Sequence, residues 1–143
     1  MNQLTASSAA NAISTDPQPE ARTEAAGLYL ATVGYAEALR MPDPAATLDR
    51  MPEAVDEIAE ELAKGVNAEG GAEFTEALRA ATVLPLKAYA AIEHARAETA
   101  DAEVGYLFDL LADNLKAGAD PRMIRRDALA APARIRELAE AAR

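Results

Sequence analysis

Apolar residues recur along most of this chain at helical spacing. Met51, Val55, Ile58 and Leu62 fall at i, i+4, i+7 and i+11, which lines one side of a helix. Val104, Leu107, Phe108, Leu111 and Leu115 repeat the pattern, and Phe74, Leu78, Ala81, Pro85 and Ile92 share a third face. β-branched residues are sparse and no run alternates apolar with polar, so nothing predicts a strand. The punctuation agrees. Asp16-Pro17, Asp43-Pro44 and Asp120-Pro121 each set an N-cap acceptor beside a residue suited to the first helical position. Gly65 and Gly118 closely follow Lys64 and Lys116, as helix stops do. The pattern predicts an all-α fold with helices over roughly 18–40, 44–51, 53–64, 72–98, 102–117, 121–130 and 132–142. Pro85 lies inside an apolar pattern and must kink its helix or split it.

The first long helix differs from the rest. From Ala25 to Ala36 it is uncharged around its whole circumference, which predicts a helix buried on most sides. Gly27, Ala31, Gly34 and Ala38 also align at i, i+4, i+7 and i+11. A glycine inside a helix costs about 1 kcal/mol relative to Ala, so the small-residue face should be offset by close approach of another backbone. Tight packing within the bundle is the simpler expectation. A homodimer crossing, or a docking groove for a partner helix, is the sharper one.

Residues 1–16 hold all three serines (Ser7, Ser8, Ser14) and no periodic apolar positions, which predicts a flexible tail. The break Val66–Gly71 is too short to separate domains, so 17–143 is expected to form a single compact bundle of five to seven helices. Leu110–Pro121 (LLADNLKAGADP) resembles the tail of an ankyrin repeat. No second copy appears about 33 residues away and the Thr-Pro-Leu-His start is absent, so the segment reads as a glycine stop followed by an Asp-Pro start.

Composition narrows the chemistry. There is no Cys and no Ser beyond position 14, so nucleophilic catalysis by either residue lacks its nucleophile. His94 is the one imidazole; it is spaced i, i+4 from Glu98, but no second histidine supports a metal site. Gly70-Gly71 is an isolated pair without the Lys or Ser/Thr of a phosphate loop. No Trp and two Phe leave little aromatic surface for stacking a sugar or base. No catalytic residue, metal or cofactor is expected. The first cation is Arg22, so Met1–Ser14 has no charged secretory start, and no stretch reaches the ~18 apolar residues of a membrane span. A cytoplasmic protein is expected.

Charge is the feature above background. The chain carries 24 acids against 14 bases, a net charge of -10. Ten of the acids and only two of the bases fall between Asp43 and Glu76. Asp49, Glu53, Asp56, Glu57, Glu60 and Glu61 are the candidate partner-binding residues, although a solvated helix face explains such a run by default. Residues 121–143 run the other way, with Arg122, Arg125, Arg126, Arg134 and Arg136 forming a secondary basic patch. Its two short helices meet at Ala131-Pro132, loosely like a helix-turn-helix. The turn glycine is missing and the preceding 120 residues sum to -13, so direct nucleic-acid binding is not expected.

These readings predict a non-enzymatic acidic protein, an adaptor or inhibitor that contacts a basic partner, one that itself handles nucleic acid among the options. Small anionic helical proteins of phages and plasmids act in this way, a likeness of composition alone. Two alternatives stand beside it. One is a structural homo-oligomer, assembled through the first helix or by acidic-to-basic pairing. The other is an enzyme or small-ligand binder with a pocket near Tyr29, Tyr35, Tyr89 and Tyr106.

Overall fold

The computed structural model describes residues 19–64, 71–99 and 101–142. They form an all-α bundle of five helices: α1 (Pro19–Ala38), α2 (Pro44–Lys64), α3 (Gly71–Ala97), α4 (Ala102–Lys116) and α5 (Pro121–Ala141). No strand occurs among the described residues. The expected tail at 1–16, the Asp16-Pro17 pair and the break at 65–70 lie outside them.

Local chemistry explains most of the helix ends. The Asp43 side chain accepts from the Ala46 N–H at 3.1 Å, Asp101 from Glu103 and Asp120 from Arg122, both at 2.9 Å. At the end of α4, Gly118 adopts φ +98°, a backbone that favours glycine, and the Ala119 N–H turns back to the Asn114 carbonyl at 3.0 Å. Pro52 and Pro132, expected to separate helices, instead lie inside α2 and α5. A proline removes one ladder bond and costs about 3 kcal/mol in a helix interior. Pro132 is buried and Pro52 half-buried, so packing offsets that cost and seven expected segments become five.

α3 is the axis of the bundle. α1, α2 and α5 each pack along it, and α4 lies against α3 and α5. Its second half is apolar on nearly every side: Leu86, Ala88, Tyr89, Ala90, Ala91, Ile92 and Ala95 are all buried. The many alanines let neighbouring helices come close. α3, not α1, is therefore the helix buried on most sides. α1 buries Gly27, Ala31, Tyr35 and Ala38 but leaves Ala25, Ala26, Tyr29, Val33 and Ala36 exposed.

Pro85 is buried within α3, which continues through it to Ala97. It has no N–H to return to the Ala81 carbonyl, and α1 comes close to that residue. A Cβ built on Gly27 would lie 2.5 Å from the Ala81 carbonyl carbon and oxygen. The small-residue face thus does its packing inside this chain: Ala31 and Ala38 are fully buried, and Gly34 faces Met51 and Leu86.

Candidate functional site

α1 and α2 both rest on α3 but touch each other far less than either touches it. Between them runs a groove of about 260 Å³. Leu78, Thr82 and Leu86 of α3 form its floor, Leu30, Val33 and Gly34 one wall, and Met51, Val55 and Ile58 the other. The lining offers a ligand almost nothing polar, because the Thr82 hydroxyl already donates to the Leu78 carbonyl at 2.7 Å. Val33 and Ile58 stand about half exposed, at 46% and 51%.

The groove follows from the width of the α2 stripe. Leu48 and Ala59, on the flank of that stripe nearer α3, are almost fully buried, and α3 leaves no room for the rest. Met51, Val55 and Ile58 therefore face the gap, which α1 only partly closes. Gly34, without a side chain, leaves that gap wider. Unpaired apolar side chains around a concave surface are the usual mark of a contact site on a soluble protein.

Glu37 is the acid in the groove lining, and the fold divides the six expected ones. Asp49 Oδ2 lies 2.8 Å from His94 Nε2 and Asp56 Oδ1 lies 3.5 Å from Arg79 Nε, so α3 gives each of these two a partner. Glu53, Glu57 and Glu60 are exposed on the side of α2 away from its apolar stripe and form no ion pair among the described residues, and Glu61 is exposed as well. Glu37 supplies an acid from α1, 3.7 Å from Arg40. The basic patch is also exposed: Arg126 pairs with its neighbour Asp127 at 3.2 Å, while Arg125 reaches a different cleft on the opposite flank of α2.

The four tyrosines do not share a site. Tyr35 and Tyr89 stack in the core, centroids 4.1 Å apart, whereas Tyr29 and Tyr106 are exposed. A buried polar network beside that stack was not legible in the sequence. The Tyr35 hydroxyl donates to Glu93 Oε2 at 2.6 Å, and Arg96 bridges Glu93 at 3.1 Å to Asp109 at 2.9 Å. Burial, followed by the adjacent Glu93 carboxylate, pushes the Tyr35 phenol above its ordinary range. Burial likewise raises Tyr89, partly opposed by its hydrogen bond with Thr32. Glu93 Oε2 takes both bonds, so Glu93 and Arg96 tie α1, α3 and α4 together. The one hint in the sequence was Glu93 and Arg96 at i, i+3 among apolar neighbours.

His94 pairs with Asp49 instead of Glu98, and no group of three or more His, Asp or Glu side chains gathers as a metal site among the described residues. No described helix is long and apolar enough to cross a membrane. No protein-family model, curated protein or solved structure matches this chain.

Proposed function

We propose that this chain is a small acidic binding protein, an adaptor or inhibitor, that takes an amphipathic basic helix of a partner protein into the groove between α1 and α2. The observation that carries the reading is the groove itself: an apolar trough with Glu37 in its lining, one wall of which is a helix whose outer side carries Glu53, Glu57 and Glu60. Helix-in-groove recognition needs an apolar slot for residues at i, i+3, i+4 and i+7 of the incoming helix. Val33, Met51, Val55 and Ile58 supply such walls. Glu53, Glu57 and Glu60, on the outer side of α2 and unneutralised by the chain itself, would draw a cationic partner toward α2 and speed encounter, while Glu37 meets a cation at the groove. Partners that handle nucleic acid carry such cationic surfaces.

The test is capture of proteins by the immobilised chain at low and high salt, beside an Ile58→Glu variant. The Debye length falls from about 8 Å at physiological salt to about 3 Å at 1 M, so long-range attraction to the acidic side of α2 is screened. A basic partner lost both at high salt and in the variant supports the proposal. A partner indifferent to both, or no partner at all, removes it. A second reading, pairing of the acidic face of one copy with α5 of another, is favoured by Arg122, Arg134 and Arg136, which form no ion pair among the described residues. Light scattering that finds a strict monomer at low salt would exclude it.

A further inference from the structure

A second cleft, of about 290 Å³, opens on the other flank of α2. That is near the lower end of small-molecule sites, about 300–1,000 Å³. It exists because α2 and α5 both lie against α3 yet scarcely touch one another. Leu48, Ala90 and Ala91, all buried, give it an apolar floor, and α3 carries alanine where a larger side chain would fill the space.

Two cations stand at the border, Lys87 from α3 and Arg125 from α5, and His94 lies two turns beyond Lys87 on the same side of α3. Lys87 and Arg125 form no ion pair among the described residues. Asp49 is the carboxylate in the lining, and His94 already holds it at 2.8 Å. On a chain of net charge -10, this hollow gathers positive groups over an apolar floor.

We propose that the cleft binds a small organic anion, a carboxylate on a compact apolar body. The head would sit between Lys87 and Arg125, whose guanidinium matches a carboxylate in two parallel hydrogen bonds. The body would cover Leu48, Ala90 and Ala91. Asp49 at the wall disfavours more highly charged heads, since each added negative charge must approach it. This site is independent of the groove and gives the arginine-rich α5 a role that the groove does not use.

His94 is the one imidazole of the chain, so its ring protons report the cleft without ambiguity by NMR at fixed pH. The protein is titrated with benzoate, with benzyl alcohol as the neutral analogue, and with inorganic phosphate as a head without a body. Benzoate is expected to shift the His94 resonances saturably. Lys87→Met and Arg125→Met should each weaken binding by about tenfold or more, as loss of a charged hydrogen bond does. Arg134→Met, which removes a cation from the opposite side of α5, should leave the affinity unchanged. Far-UV circular dichroism verifies that each variant is folded, and titration of the unsubstituted protein stands whatever the variants do. The proposal is overturned by no saturable shift with benzoate, or by equal affinity for benzyl alcohol or phosphate. Equal weakening by Arg134→Met and Arg125→Met overturns it as well.

Discussion

Adding a single methyl group at Gly27 probes the seam between α1 and α3 directly. By helix propensity alone, Gly27→Ala is favourable by about 1 kcal/mol. In place, the new Cβ would lie 2.5 Å from the carbonyl carbon and oxygen of Ala81 and 2.6 Å from its Cβ. Ordinary contact between carbon atoms is about 3.5–4.0 Å, so α1 must retreat by roughly 1 Å. The obstacle is backbone, which no rotamer change can move aside. Retreat would loosen the buried contacts of Ala31 and Tyr35 further along the helix. Overpacking of a closed core costs about 1–3 kcal/mol, and a fixed obstacle belongs at the upper end. Net of the propensity gain, Gly27→Ala is expected to destabilise the fold by about 2 kcal/mol. Gly105→Ala in α4 is the matched control, because a Cβ there meets nothing within 4 Å. It should stabilise by about 0.5–1 kcal/mol. Urea unfolding followed by far-UV circular dichroism is expected to move the two midpoints in opposite directions with unchanged slopes. A Gly27→Ala protein as stable as its parent would refute the close approach of α1 to Ala81.

Other expectations follow from the same geometry. Tyr35→Phe leaves the buried Glu93 with one donor fewer and should cost about 1–3 kcal/mol at neutral pH, measured by the same unfolding assay. It should also change the alkaline limb. An unfolded tyrosine releases its proton near pH 10, whereas folded Tyr35 keeps its proton to higher pH. That contribution to stability is whole below about pH 10 and is lost above it at about 1.4 kcal/mol per pH unit, until the folded phenol itself ionises. The phenylalanine variant should therefore show a shallower alkaline decline, and an identical slope would contradict the buried assignment. Asp120→Ala removes the cap of α5 and should lower stability by about 1 kcal/mol, read from the urea midpoint. Val33→Asp and Ile58→Glu, at half-exposed positions, should shift the unfolding midpoint little while abolishing capture of a basic helix. Collapse of the fold in either would show that the groove is sealed core.

The sequence alone was enough for the all-α class, for the caps at Asp43 and Asp120 and for the stop at Gly118. Each of these depends on groups within a few residues of one another, so it is written locally. The run of acids and the uncharged length of α1 were equally plain. Their consequences were not. Period along a helix states which residues share a face but not what covers it. Only the assembled bundle leaves Tyr29 and Val33 outside, draws Asp49 to His94 and Asp56 to Arg79, and leaves Glu53, Glu57 and Glu60 unneutralised. Pro52 and Pro132 failed as boundaries for a related reason: whether a helix survives a missing hydrogen bond depends on burial, which distant residues supply. Both clefts are products of tertiary structure. Each is a gap between two helices that pack far more on α3 than on each other, lined from three separate parts of the chain, and local spacing carries no information about such a gap.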